Sequence, residues 1–443
     1  MKFKPAYRNI WSITLPLILI GLSESIVEIT DTIFLAHYGT TELASIGVAD
    51  VIYTLTLFLT FGLVDGIQIT IGRRAGQEKN KAIGEVFNQG ALLLFIISLF
   101  MMLVIIFIVP GITQHLLSSA EIHHTVNNYL GITAYALAFQ AMNLAYSAFF
   151  VGISKTRVLI YAAIILLVSN ISLDYILIFG NFGAPELGMK GAAIASLSAE
   201  ILTFLFLTGH IISRHYIRTY GIFSFTGWNQ KLSNKLLDLS IPVSLDALVE
   251  ISKWLLLIVM IEKLGEQTLG IANIIFSCYA LFLIPVESFS ETVCTMVSNL
   301  IGQQQARKIR ILIKYSMKLS YLVISPFIIL TLVFPDYVIS IFTLDLSLIN
   351  NSINGLVVIA LTAVLAVPAN IFYATIAGTG DTRFALFTQI VSSLVALTYA
   401  FYAIFVLTLD LEYILLTEVI GLVICWILSW GWYRSGNWKR LRI

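Results

Sequence analysis

Apolar runs of roughly 20 residues recur along the whole of this 443-residue chain. Each has the length a helix needs to cross a hydrocarbon layer about 30 Å thick. No other feature of the sequence constrains the fold as strongly, because backbone polar groups in lipid must be satisfied inside each span. The chain is 58% hydrophobic and 12% charged, against about a quarter charged in soluble domains. It has too little polar surface to stay dissolved in water, so its solvent is the bilayer.

Twelve spans are expected, at about 10–36, 43–72, 86–112, 125–152, 158–180, 191–213, 236–263, 269–299, 311–334, 347–377, 384–408 and 413–433. With the N-terminus inside, the connections on that side collect 23 of the 26 Lys and Arg residues and leave out Lys190, Lys253 and Lys263. Lys2 near the start and Lys439, Arg440 and Arg442 near the end belong to that inside set. The positive-inside rule then puts both termini in the cytoplasm, in a multi-pass protein of the cytoplasmic (inner or plasma) membrane. The first run is no cleaved signal peptide, being too long and carrying Glu24, Glu28 and Asp31. Cys278, Cys294 and Cys425 fall inside spans and are expected to pack there rather than to bind metal or form disulfides.

Sliding the second half onto the first by 226 positions keeps many features in register without a gap. Pro16 falls on Pro242, Glu24 on Glu250, Gly39 on Gly265 and Tyr53 on Tyr279. Gly76-Gln77 falls on Gly302-Gln303, Asp65 meets Glu291, and Gly152-Ile-Ser-Lys-Thr-Arg157 falls on Gly378-Thr-Gly-Asp-Thr-Arg383. Six helices per half is an even number, so the repeat is parallel. The expected fold is an all-α membrane protein of twelve transmembrane helices in two parallel six-helix repeats. Its lobes are residues 1–213 and 236–443, joined by a cytoplasmic linker over 214–235. Pro16 and Pro242 mark a shared hinge or an ordinary kink. In such proteins substrates bind between the halves near the midplane, and access alternates by rocking one half against the other. The chain has no phosphate-binding G-x-x-x-x-G-K-[ST] loop, so an ion gradient is the simpler energy source.

Acids inside the spans carry the chemistry, because each costs about 2.5–3.5 kcal/mol even on lenient insertion scales. Glu24, Glu28 and Asp31, at i, i+4 and i+7, share one face of the first helix. Three carboxylates on one stripe cannot all stay ionised in a poor dielectric. That suits an exporter in which a cationic substrate and a coupling proton or sodium ion compete for the same negative charge. Asn170 and Asp174 on the fifth helix pair an amide oxygen with a carboxylate, a reasonable set of hard ligands for Na⁺. On the seventh helix Lys253 stands one turn from the Asp246–Glu250 group, where an internal ion pair is expected. Asp65, Glu200, Glu287 and Glu291 are further acids in spans. Any of these also fits a structural hydrogen-bonding role or a span end. Tyr53, Tyr279, Tyr135, Phe139, Tyr146 and Phe149 could line an aromatic cation pocket, although packing is the commoner use of aromatics in membrane helices.

These residues resemble the multidrug and toxic compound extrusion (MATE) family. The resemblance rests on Leu15-Pro16, Asp31-Thr32 and Tyr38-Gly39, on Asn170-Ile-Ser-Leu-Asp174-Tyr-Ile-Leu-Ile-Phe-Gly180, on Gly188-Met-Lys-Gly191-Ala-Ala-Ile-Ala195, and on the Gly-x-x-x-Thr-Arg turns. It covers essentially the whole chain. It implies cation-coupled export of amphipathic, often cationic compounds through a cavity between two lobes. In one branch of the family the cation site uses a first-helix Asp, a fifth-helix Asn and Asp, and a sixth-helix hydroxyl, which Asp31, Asn170, Asp174 and Ser196 match. In another branch a seventh-helix Glu eight residues after a Pro contributes, as Glu250 stands after Pro242. That branch's tenth-helix Asp is replaced here by Ala366, so the resemblance does not imply a second-lobe sodium site of that kind. Glu24 and Glu28 are additions to these patterns.

Gly378-Thr-Gly-Asp381 matches the GxGD signature of intramembrane aspartyl proteases, but its repeat counterpart has Lys155 in place of the acid and no partner Asp is well placed. A flippase for lipid-linked or polyanionic substrates would favour a basic cavity, whereas a single lysine, Lys253, lies deep in a span. A passive channel has no need of titratable groups concentrated in one lobe. The expectation is a transporter and no enzyme, using no cofactor beyond a coupling H⁺ or Na⁺, with Na⁺ an expected occupant of Asp31, Asn170 and Asp174. Its partners are small organic cations and the lipid bilayer, with no nucleic acid, and it is expected to act as a monomer.

Overall fold

The computed structural model describes residues 4–224, 227–340 and 345–436; Lys2, Lys439, Arg440 and Arg442 lie outside the described residues. Among those described, the chain is helical with no strand, and twelve helices are long. They are α1 (Tyr7–Tyr38), α2 (Thr40–Gly76), α3 (Asn80–Phe107), α4 (Ala120–Gly152), α5 (Arg157–Phe179) and α6 (Met189–Ser213), then α7 (Gln230–Glu262), α8 (Glu266–Gly302), α9 (Ile309–Val333), α10 (Leu346–Thr379), α11 (Thr382–Phe405) and α12 (Leu416–Ser435). Eleven segments, one at each of these helices except α7, are long and apolar enough to cross a membrane. The exception, α7, is 33 residues long, so what sets it apart is charge: it carries Asp238, Asp246, Glu250 and Lys253. Large apolar side chains cover the outer helix faces, with Phe107 74% and Leu322 68% exposed. Such surfaces are stable only where the surrounding solvent is itself apolar.

The repeat is visible in the packing. In the first half α2 and α3 pack on α4, and α4 and α5 pack on α6; six helices later α8 and α9 pack on α10, and α10 and α11 pack on α12. The equivalence extends to single atoms. A Cβ on Gly152 would meet the Gln68 carbonyl of α2 at 3.3 Å and the Ile71 side chain at 2.5 Å. Its counterpart Gly378 would place a Cβ against the carbonyl of Cys294, the residue equivalent to Gln68. Glycine is required at both because the helix backbones approach too closely for a side chain.

The chain forms two compact units, Met1–Ile18 with Leu245–Ile443, and Leu19–Ser244. Sequence order suggests different boundaries, 1–213 and 236–443, and the difference has a packing cause. The start of α1 packs on the second half: Thr14 Oγ1 donates to Thr292 Oγ1 of α8 at 2.8 Å, and Tyr7 stacks on Tyr315 of α9 with ring centroids 4.2 Å apart. The start of α7 does the equivalent in the other unit, where Ser240 and Ser244 sit against Gly66 and Gly62 of α2. Both divisions fall two residues after a proline, Pro16 and Pro242.

Within 214–235, the stretches around Arg218, Gly221 and Gly227 are docked rather than free. Lys81 Nζ donates to the Arg218 carbonyl at 2.9 Å, Asn88 Nδ2 donates to the Gly221 carbonyl at 2.9 Å, and Gln89 Nε2 donates to the Gly227 carbonyl at 2.8 Å. All three donors lie on α3, so this stretch belongs to the unit Leu19–Ser244.

Replacing Gly378 with Val should lower the thermal unfolding midpoint of the detergent-purified protein, since overpacking costs about 1–3 kcal/mol. Gly209→Ala, at a position with nothing within 4 Å, should leave it unchanged or slightly raised. Size-exclusion profiles after graded heating read both, and equal melting of the two variants would show that the α8–α10 approach tolerates a side chain.

Candidate functional site

Within the unit Leu19–Ser244, α1, α5 and α6 gather one set of polar groups. Asn170 and Asp174 stand one turn apart on the same face of α5, with exposures of 2% and 0%. With its nitrogen turned toward the acids, the Asn170 amide donates to Asp31 Oδ1 at 3.2 Å and to Asp174 Oδ2 at 2.9 Å. Turned the other way, the nitrogen donates to Ser196 Oγ at 3.3 Å and the amide oxygen faces the two acids. The Asp31 and Asp174 carboxyls lie within hydrogen-bonding reach of each other. No donor faces Asp174 Oδ1, and among the described residues neither acid has a basic partner at ion-pair distance. Asp31 is half-buried, while Glu28 and Glu24, one and two turns earlier, are exposed. The stripe therefore grades from accessible to buried along α1.

The loop after α5 sets this register. Leu187 N donates to the Leu177 carbonyl at 3.0 Å and Gly188 N to the Ile178 carbonyl at 3.2 Å, which ties the start of α6 to the end of α5. Gly188 has φ +54° and lies against the Tyr38 ring at the end of α1, where a Cβ would meet Tyr38 Cε1 at 2.6 Å. Both the positive φ and the close ring demand glycine. This corner fixes α1, α5 and α6 together, and so brings Ser196 to Asn170.

Sequence reasoning missed neighbours of this group. Asp50 on α2 lies within electrostatic range of Glu28 and Asp31, and the buried Tyr129 on α4 lies among Asp31, Asp50, Tyr53 and Asp174. Asp50 was findable, as an acid inside an apolar run; Tyr129 was one aromatic among many. A second polar set borders the first. Asn143 Nδ2 donates to Glu200 Oε2 at 2.7 Å, Tyr53 Oη donates to Gln140 Oε1 at 2.8 Å, and Glu200 lies within electrostatic range of Glu24.

The aromatic candidates scatter. Tyr53 sits among the polar groups. Tyr135 is exposed, and Phe139 packs edge-on to Phe204 with centroids 5.7 Å apart. Tyr146 and Phe149 are buried in a ring cluster around Phe87, and Tyr279 is buried in an apolar core of the other unit. Asp65 is exposed and Glu291 half-buried.

In the unit containing Leu245–Ile443, Glu250 on α7 and Glu287 on α8 are exposed and within electrostatic range of each other. Tyr373 Oη of α10 donates to the Asp246 carboxylate, and Ala366 is fully buried. The ion pair expected inside α7 is replaced by one between helices: Lys253 Nζ lies 3.1 Å from Glu418 Oε2 of α12. The long lysine stem reaches across α7 to a carboxylate only 5% exposed, whereas Glu250 on its own helix is open to solvent. Asp381 of the GxGD match caps α11, its Oδ1 accepting from Phe384 N at 3.3 Å and its Oδ2 from Trp432 Nε1 at 3.0 Å. Among the described residues no three His, Cys, Asp or Glu side chains group as a metal site.

Comparison with known proteins supplies the context. The MatE family model matches residues 16–176 and 242–402, two segments offset by the same 226 positions as the internal repeat. A probable multidrug resistance protein NorM of Aromatoleum aromaticum is 24% identical over 74% of this chain and 71% of its own length. The multidrug resistance protein MdtK of Yersinia pseudotuberculosis is 24% identical over 76% and 74%. Among solved structures, a MOP superfamily transporter from Pyrococcus furiosus superposes with a TM-score of 0.91 at 19% identity, covering 99% of this chain and 98% of that one. A MATE structure described as straight gives 0.90 at 19% identity, covering 99% and 98%; one described as bent gives 0.85 at 17%, covering 98% and 96%.

Removing the amide between the two acids tests the geometry directly. Asn170→Ala should lower the unfolding midpoint by an amount corresponding to about 1.5–3 kcal/mol, the worth of a hydrogen bond to a charged group. The loss should be larger near pH 8 than near pH 6, because an amide donor is worth more to a carboxylate than to a protonated carboxyl. Melts at both pH values decide this, and an equal loss at both would mean that the amide only fills space.

Proposed function

The chain belongs to the MatE family of multidrug transporters, and on that premise we propose that it exports small amphipathic organic cations in exchange for H⁺ or Na⁺, by alternating access of its two lobes. It is a multi-pass membrane transporter and no enzyme. The observation that carries the finer reading is the Asp31–Asp174 pair, bridged by Asn170 and without a basic partner among the described residues. A buried acid pair with no resident cation has to take one from solution. A protonated pair is neutral and releases a cationic substrate; a deprotonated pair attracts one. Glu28 and Glu24, both accessible, are the groups along which an amine would exchange. Both termini are cytoplasmic in this reading, and the protein works as a monomer without a cofactor or nucleic acid.

The Asn170 amide separates the two coupling ions. With its nitrogen toward the acids it satisfies a proton-loaded pair, as a donor to both. With its oxygen toward them, three oxygens converge, a hard-ligand set of the kind that suits Na⁺. Ser196 completes either state, as donor or acceptor.

In proteoliposomes, efflux of a cationic dye should be driven by an imposed pH or Na⁺ gradient. Asp31→Asn and Asp174→Asn should each cut gradient-driven efflux by roughly 5- to 150-fold, the range of an ordinary coupling free energy. Glu250→Gln should retain it. Dye movement indifferent to both gradients would sink the antiport reading.

A further inference from the structure

The seventh helix carries Asp246, Glu250 and Lys253 at the same i, i+4, i+7 spacing as Glu24, Glu28 and Asp31 on the first, with a lysine where the other stripe ends in aspartate. Lys253 Nζ is 3.1 Å from Glu418 Oε2, and the two side chains are 12% and 6% exposed. The other carboxylate oxygen, Glu418 Oε1, is buried with no hydrogen-bond partner. We infer that Lys253 is a tethered internal cation, held on Glu418 in place of an exchangeable one, which confines cation exchange to the Asp31–Asp174 group of the other unit.

An isolated carboxylate at this depth is expensive and must be neutralised by a proton, a solution ion or a fixed ammonium. Glu418 has the ammonium; Asp31 and Asp174 have none among the described residues. A covalently tethered cation acts at a high effective concentration and never leaves, so solution ions compete poorly for its carboxylate. Among the described residues, the groups around the pair do not supply a rival cation. They are Glu250 and Asp246 from α7, Tyr279 and Glu287 from α8, Tyr373 from α10 and Cys425 from α12. All are acidic or neutral, and Lys253 is the cation they share. The role of Lys253 is positioning: it acts through Glu418.

The inference rests on the exchange reading above, but its test does not. Full-length protein in detergent is melted near pH 6 and near pH 8, with and without Na⁺. Lys253→Met strands Glu418, which then takes a proton from solution. Its melting deficit relative to the native protein should therefore be small near pH 6, grow toward pH 8, and shrink again when Na⁺ is added. In Lys253→Met/Glu418→Gln the deficit should be the same at both pH values and unresponsive to Na⁺. A deficit in Lys253→Met that ignores both pH and Na⁺ overturns the inference, since the pair would then only fasten α7 to α12. If the single variant cannot be recovered folded but the double variant can, the uncompensated carboxylate is the cause and the inference stands. If neither folds, packing rather than charge is what Lys253 supplies, and the inference falls. In proteoliposomes Lys253→Met should raise the ion-to-dye ratio above the native value, and the double variant should restore it. A native protein that ignores ion gradients would remove the exchange reading while the melting comparison still decides on Lys253.

Discussion

Everything in this molecule answers to one cost, that of placing a polar or charged group where water cannot reach it. The backbone meets that cost by forming helices along its apolar runs. Side chains meet it by pairing, and each pairing names its partner. Asp31 and Asp174 meet the Asn170 amide, Glu200 meets Asn143, Asp246 meets the Tyr373 phenol, and Glu418 meets Lys253. These solutions differ in one respect that matters for transport. An amide or a phenol leaves the net charge of its acid in place; an ammonium cancels it. In the exchange we propose, Asp31 and Asp174 take their cation from solution, whereas Glu418 already holds one in Lys253.

That asymmetry sits on a scaffold whose symmetry is close. The same offset aligns the two segments matched by the family model, the helix pairs that pack together, and the glycines where backbones touch. Thr14 on Thr292 and Ser240 against Gly66 are equivalent contacts, related by the same offset. Duplicated packing is retained because a close backbone approach accepts almost no substitution. Charge is free to diverge, because one buried carboxylate can be neutralised in several ways.

The exchange of helix starts between units also gives the prolines a place. α1 and α7 each begin in one compact unit and continue in the other, and each division follows its proline by two residues. Without the i−4 hydrogen bond that proline removes, a helix there bends at lower cost than elsewhere along its length. With Arg218, Gly221 and Gly227 tied to α3 by Lys81, Asn88 and Gln89, the helix interiors are the points where the chain crosses between units.

Much of this was legible in the residues alone. Apolar length set the spans, the constant offset set the doubled architecture, and the i, i+4 spacing of Asn170 and Asp174 placed two polar groups on one face of α5. Those properties are local or periodic, and helix geometry converts them into structure without further information. Asp50 and Glu418 obeyed the same rule of acids in apolar runs, and could have been found by applying it fully. Tertiary structure decided the rest, because a partner distant in sequence leaves no periodic trace. Only packing could bring Asp31 to Asp174, send Lys253 to Glu418 rather than to its own helix, bury Tyr279 in an apolar core, and turn Asp381 into a helix cap. The apolar runs determined that this chain lives in a membrane as two sets of helices; which of its acids keeps an unmet charge depended on what each one touches.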